Sequence, residues 1–386
     1  MHFNHYFSKF FLLCVFFIVE FESKIADVSN RHSKFFPLDW GIGLVRFENS
    51  VCGGDDGFEG TCYTRRQCKE IGGVGAGPCA KGIGVCCIIQ ITCGGSSSYN
   101  NTYFTSPNFP APYTGGSTCT VTIPKCSPEI CQIRIDFLTF SLAQPDGNGT
   151  CTTDAFYVIG GASNVPVLCG ENSGQHIYVD FNGDSDIQLV LNTNAAAATA
   201  SRAWNFKITQ IGCDCPTKAP TGCLQYYTAL SGTVRSFNYG TTGPQTGTRQ
   251  LANENYGVCV EMQPGYCSIT WSTSPGDMYA FTVTGNTNQA VGNGTIGPPS
   301  ALSNGNCTTD FVVIPNPSYV NSSLVGPNTD RFCGNGFNSV TTSSKPFVLT
   351  VVTDGTDVSP IDEANRGFSL MYMQNQCSGT GTLFGK

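Results

Sequence analysis

Twenty-one cysteines in 386 residues constrain this chain more than any other feature of its sequence. One of them, Cys14, lies in an N-terminal apolar segment. The other twenty form an even set, and in an exported chain such a set reads as ten disulfides. A zinc site is the competing reading, because thiolates and histidines at short paired spacing hold that metal. Beyond the N-terminal segment only His32 and His176 remain, neither beside a cysteine pair, and Cys213 and Cys215 lack a second matching pair. Disulfides are therefore expected in preference to zinc.

The N-terminus predicts export. Lys9 precedes an apolar run from Phe10 to Val19, which is followed by Glu20. A bilayer span needs about 20 such residues, so the run reads as a signal peptide over residues 1–23, cut near Ser23. No later stretch is apolar enough to cross a membrane, and the terminal TGTLFGK does not read as a lipid-anchor signal. Glycosylation sequons at Asn100, Asn148, Asn293, Asn306 and Asn321 agree with a secreted, extracellular glycoprotein, although Cys307 sits inside the Asn306 sequon. Charged residues are only 12%, against about 25% in typical soluble domains. The net charge of −7 speaks against nucleic acid as a partner, and the 45 glycines show no three-residue period, which excludes collagen.

Residues 24–51 lack periodicity and read as a linker. Residues 52–92 hold six cysteines in a segment too short to bury a core of its own, so three disulfides must stabilise it. After Cys93 the texture becomes short alternating runs: Ile133, Ile135 and Phe137; Ile187, Leu189 and Leu191; Trp204, Phe206 and Ile208. Apolar residues at every second position make one buried strand face, and many such runs between turn signals predict an all-β sandwich. The chain also repeats itself. NGTCTTDAFYVI at 148–159 matches NGNCTTDFVVI at 304–314, VLCG at 167–170 matches RFCG at 331–334, and WNFKITQIGC at 204–213 matches GFSLMYMQNQC at 367–377. Several matches in the same order imply a duplicated domain. The units run over 93–213 and 223–377, joined by a linker at 214–222 containing PTKAP, with a tail at 378–386.

The cysteine-rich segment resembles an arthropod clip domain, on Cys52, the GTC at 60–62, Cys68, Cys79 and the VCC at 85–87. The resemblance implies Cys52–Cys86, Cys62–Cys79 and Cys68–Cys87; an unrelated cystine knot is the blander alternative. The two later units resemble CUB domains, which are jelly-roll-like extracellular β-sandwiches. The first does so through SPNFPAPY at 106–113, Cys119, CTTD at 151–154 and CG at 169–170. The second is divergent: SFNYG at 236–240 replaces the SPNFP-type segment and a Gly/Asn-rich insertion surrounds 285–306, but CTTD at 307–310, CG at 333–334 and GF at 367–368 remain. The family implies Cys93–Cys119, Cys151–Cys169 and Cys307–Cys333. Cys126–Cys131 and Cys259–Cys267 are expected to close small hairpin turns. Cys213, Cys215, Cys223 and Cys377 then allow three pairings, and any that crosses the linker would fix the two sandwiches together.

For catalysis, a serine hydrolase needs a nucleophile, a base and an orienting acid. No GxSxG elbow is present, and no protease domain follows the clip-like segment as it does in clip-domain proteases. His176 reads as an ordinary surface residue on a strand, and Asp184 and Asp186 as turn formers. Calcium is the sharper expectation. The ion takes six to eight oxygen ligands, and calcium-binding CUB domains hold it with an upstream Glu, the Asp of CxxD and a late Asp. The resemblance assigns Asp310 and Asp354 to these roles in the second unit. In the first, Asp154 fills the CxxD position, Asn194 stands where the late Asp would be, and Asp146 loosely replaces the Glu. The alternative is that Asp154 and Asp310 bond backbone amides. The chain thus reads as a non-catalytic binding or adhesion protein for an extracellular protein or glycan. A regulator of an extracellular clip-protease cascade and a structural matrix component are the alternatives.

Overall fold

The computed structural model describes residue 47 and residues 49–377, except 56, 196–200, 241–247, 304 and 356–361. The expected signal peptide, His32, most of the first linker and the C-terminal tail lie outside the described residues.

The cysteine-rich segment forms β1 (Val51–Gly53), β2 (Glu59–Tyr63), α1 (Arg65–Glu70), β3 (Val74–Cys79) and β4 (Gly84–Ile91). Thr64 starts α1 because its side chain accepts from the Gln67 N–H while the Gln67 side chain reaches back to the Thr64 N–H. Disulfides Cys52–Cys86, Cys62–Cys79 and Cys68–Cys87 tie these elements together.

The first sandwich comprises β5 (Thr102–Thr105), β6 (Thr118–Ile123), β7 (Ile130–Ser141), β8 (Ala155–Ile159), β9 (His176–Asp180), β10 (Ile187–Asn192) and β11 (Ala203–Gly212). One sheet runs β5-β11-β7-β9 and the other β6-β10-β8. The alternating residues Ile133, Ile135, Phe137, Ile187, Leu189, Leu191, Trp204, Phe206 and Ile208 are all fully buried between them. Edge-to-face packing of Phe140 on Phe156 and of Phe104 on Phe206 fills the centre.

The second sandwich has β12 (Cys223–Tyr227), β13 (Ser231–Arg235), β14 (Asn255–Val260), β15 (Tyr266–Thr273), β16 (Phe281–Thr282), α2 (Thr287–Gly292), β17 (Ala301–Leu302), β18 (Phe311–Val313), β19 (Pro317–Tyr319), β20 (Arg331–Gly334), β21 (Val340–Thr342), β22 (Phe347–Val352) and β23 (Gly367–Gln376). Its sheets run β12-β14-β22-β18-β20-β17 and β13-β23-β15-β21-β19. The Gly/Asn-rich insertion supplies α2 and β17.

Two hairpin disulfides expected from sequence are replaced. Cys131 bonds Cys213 rather than Cys126, because β7 and β11 run side by side and bring the two Cα atoms to 4.8 Å. Cys259 bonds Cys223 rather than Cys267, because β14 pairs in parallel with β12. Cys267 instead meets Cys377 at the end of β23. Cys93–Cys119, Cys151–Cys169 and Cys307–Cys333 complete the set. Each sandwich thus carries three corresponding bridges: one from its first cysteine to a later strand (β6 or β14), one at its two longest strands, and one behind the CxxD segment. Among the described residues this makes nine disulfides, not ten. Cys126 is an exposed thiol, and the Cys215 sulfur lies 3.1 Å from the Thr217 hydroxyl.

Among the described residues no disulfide crosses the domain linker, yet the modules are continuous. On one side β4 pairs in parallel with β5, so the knot extends the first sheet of the sandwich. The Tyr103 hydroxyl bonds the Glu59 backbone, and Lys207 pairs with the Glu59 carboxylate. On the other side the second sandwich docks through polar contacts. The Gln132 side chain receives the Ala219 N–H (2.8 Å) and donates to its carbonyl (3.1 Å). Asn238, fully buried in the left-handed region at φ 58°, plugs the joint. Its N–H donates to Asn172 Oδ1 at 2.7 Å, its Nδ2 to Gln144 Oε1 at 2.9 Å, and its Oδ1 accepts the Glu171 N–H at 2.9 Å. Gly170, the glycine of the first CG, has φ 74°, and a Cβ there would fall 2.1 Å from Asn238 Oδ1. Backbone freedom and close approach both require glycine at this position.

Candidate functional site

Both sandwiches build the same frame at the loop end behind the CxxD segment. In the first, the Asn194 N–H donates to Asp154 Oδ1 at 3.1 Å, and the Ser117 N–H to the Thr193 hydroxyl at 3.2 Å. In the second, the Asp354 N–H donates to Asp310 Oδ1 at 2.8 Å, and the Glu254 N–H to the Thr353 hydroxyl at 2.8 Å. Asp154 and Asp310 are both 1% exposed.

The frames part company at the arginine preceding the last strand. Arg202, fully buried before β11, grips Asp154 with both ends of its fork: Nε to Oδ2 at 2.6 Å and Nη2 to Oδ1 at 2.9 Å. A second bond runs from Nη2 to the Asn194 carbonyl at 2.7 Å. Asp154 Oδ2 also accepts the Ala143 N–H at 2.9 Å. In the second sandwich Arg366 occupies the corresponding place before β23, but its guanidinium lies 3.4 Å from the centre of the Tyr279 ring.

The residues assigned to calcium from sequence therefore differ in fit. Asp154 does not fit: each carboxylate oxygen already holds two donors, one of them a guanidinium. Asp146 does not fit either, because its Oδ1 caps its own turn by accepting the Asn148 and Thr150 N–H groups. Asn194 offers its carbonyl to Arg202 rather than to a metal. Asp310 Oδ1 accepts the Asp354 N–H at 2.8 Å, the backbone-amide bond that the alternative expects. Among the described residues, no cluster of three or more His, Cys, Asp or Glu side chains is placed to hold a metal.

Two buried titratable groups escaped sequence reasoning. His176 is not a surface residue. It starts β9 and is 7% exposed because β12 packs across it, placing Nε2 3.2 Å from the Tyr226 nitrogen and 3.0 Å from its carbonyl. Burial, with Arg134 adding its charge, lowers its pKa to about 4. Glu254 is 4% exposed, and neither carboxyl oxygen has a hydrogen-bond partner among the described residues. Burial raises its pKa well above the ordinary carboxylate value. Alternation places Glu254 one residue before β14, but no sequence signal distinguishes it from a solvated turn acid. Asp184, by contrast, sits exposed in its turn as expected. A cleft of about 470 Å³ opens between the sandwiches, lined by Ser163, Asp180, Leu224, Tyr256 and Thr350 among others.

Comparison with known families matches residues 93–207 to the CUB domain and residues 220–375 to the animal CUB domain. The chain is a two-CUB-domain protein with a disulfide-rich N-terminal region. Among solved structures it is similar to the CUB1-EGF-CUB2 domains of rat MASP-1, at 14% identity, covering 74% of this chain and 99% of that one, with a TM-score of 0.25. It is also similar to the MASP-1 CUB2 domain bound to Ca2+, at 21% identity over 30% of this chain and 98% of that one, with a TM-score of 0.24. No curated protein matches. Likeness at this level identifies neither a ligand nor an activity.

Proposed function

We propose that this chain is a secreted, non-catalytic binding protein whose two CUB domains hold an extracellular protein partner, with the cysteine knot as a further contact surface. The observation that carries the reading is the continuity of the three modules. Strand pairing joins the knot to the first sandwich, and the Asn238 plug joins the first to the second. Contacts made on different modules then act together with little ordering cost, which raises affinity without requiring any single strong site. The only described histidine, His176, is held in the domain joint, away from any role as an exposed base. All five sequon asparagines are exposed, as glycosylation requires. No described helix is long and apolar enough to cross a membrane.

In the second domain Asp310 and Asp354 are the residues that would hold calcium. A bound ion would order that loop end and leave the acids to meet a partner's Lys or Arg. The test is capture of body-fluid proteins on the immobilised chain, in calcium and in chelator, with Asp310→Asn in parallel. A protein retained in calcium, released by chelator and missed by the variant supports the reading. Hydrolysis by the purified chain, or recovery of the chain only from insoluble matrix, overturns it.

The knot favours a second reading. Its bridges join first to fifth, second to fourth and third to sixth cysteine, the order the clip resemblance implies. A regulator of a clip-protease cascade would change the activation rate of such a protease when mixed with it, and an unchanged rate would remove this reading.

A further inference from the structure

We infer that Arg202 is a built-in cation that assembles the loop end of the first CUB domain, so that Asp154 serves as the arginine's partner and the domain is formed without a metal. A divalent ion at Asp154 would need six to eight oxygens. The oxygens that converge there already face nitrogen donors. Asp154 Oδ1 receives the Asn194 N–H and Arg202 Nη2, and Oδ2 receives the Ala143 N–H and Arg202 Nε. The Asn194 carbonyl receives Nη2. The Gly115 carbonyl lies 3.5 Å from Nη1. One guanidinium thus meets three chain segments, around residues 115, 154 and 194, and the Asp154 carboxylate that it holds ties in a fourth through the Ala143 N–H. Its planar fork suits the carboxylate bidentately, and a lysine cannot reproduce that geometry. Both side chains are fully shielded from solvent. Entry of a metal would therefore require the guanidinium to leave the site.

The position is fixed by the fold. Arg202 immediately precedes β11, and its backbone forms a bridge with Tyr113, whose N–H donates to the Arg202 carbonyl at 2.8 Å. The duplicated domain supplies the contrast. Its Asp310–Asp354 frame is the same, while the matching Arg366 stacks on Tyr279. The matching arginines thus make different contacts in the two domains, Arg202 onto Asp154 and Arg366 over the Tyr279 ring.

Hydrogen exchange of the full chain, in calcium and in chelator, tests the inference directly. Protection of the amides of Ala143 and Asn194 is expected to be identical in the two buffers, and also in an Asp310→Asn background. Arg202→Met should lose that protection in both buffers and lower the melting temperature of the first domain by on the order of 10 °C, because it strands a buried carboxylate. Adding Asp154→Asn to Arg202→Met should recover part of the loss, since the stranded charge is then gone. A calcium-dependent gain in protection at Ala143 or Asn194 of the unmodified chain would overturn the inference, even if Arg202→Met fails to fold. So would an Arg202→Met variant with unaltered protection, or a double variant no better than the single one.

Discussion

Replacing Glu254 with glutamine tests the electrostatics of the second sandwich. The side chain lies 4% exposed beside a cavity of about 10 Å³, roughly the room of one water, lined by Phe237, Leu251, Tyr256, Val312 and Phe368 among others. Burial raises its pKa well above 4.5, so the fold keeps a proton that the unfolded chain releases. The sign follows from proton linkage. Stability from this group is fully present below pH 4.5 and is lost as pH rises above it. The slope is about 1.4 kcal/mol per pH unit for as long as the folded carboxyl stays protonated. Glutamine has nearly the same shape and no proton to lose. Glu254→Gln should therefore match the parent near pH 4.5 and gain on it as pH rises above 5, with that slope until the folded carboxyl ionises. For a sandwich of this size the gain is about 3–6 °C in melting temperature per pH unit. Thermal unfolding of both proteins at half-unit steps from pH 4.5 to 7.5 measures it. The parent and the variant share every other titrating group, so their difference isolates Glu254. Parallel curves would refute the claim that this carboxyl is buried without a partner.

His176 carries the opposite sign. Its pKa falls from 6.5 to about 4 on folding, so its contribution is present above pH 6.5 and lost as pH falls toward 4, by about 3 kcal/mol in all. The groups around it are Arg134, Asp136, Tyr178, Tyr226 and Tyr227, and His176→Gln should flatten the acid limb of the unfolding curve between pH 6.5 and 4. Peptide mapping under non-reducing conditions should recover Cys131 joined to Cys213 and Cys267 joined to Cys377. Replacing both Cys131 and Cys213 with serine should cost about 4–5 kcal/mol in a denaturant titration, since that bridge closes a separation of 82 residues.

Much of the fold was legible because its signals are local. Alternation at Ile133, Ile135 and Phe137 names a buried strand face without reference to any other part of the chain. The repeat of CTTD and CG exposes the duplication, and the glycine of each CG has a positive φ, 74° at Gly170 and 89° at Gly334. The site was legible only in part. Asp154 and Asp310 occupy matching positions in the sequence, and their burial and amide bonds match as well. What differs is an arginine contact: Arg202 bonds Asp154, and Arg366 lies over the Tyr279 ring. Arg202 and Arg366 both stand immediately before the final strand of their domain, so sequence order does not separate them.

The sequence by itself determined the disulfide-rich N-terminal region and the duplicated β-sandwich that follows it, because composition, alternation and spacing are properties of the chain alone. Tertiary structure decided what depends on which strands become neighbours. Cys131 meets Cys213 because β7 lies against β11, and Cys223 meets Cys259 because β12 lies against β14. His176 is buried because β12 crosses it, and Asn238 locks the two domains because Gly170 leaves room for it. Asp154 is closed to a metal because Arg202, 48 residues away in sequence, folds back onto it. Pairings across such separations are set by the energy of the whole packed body, which no local pattern encodes.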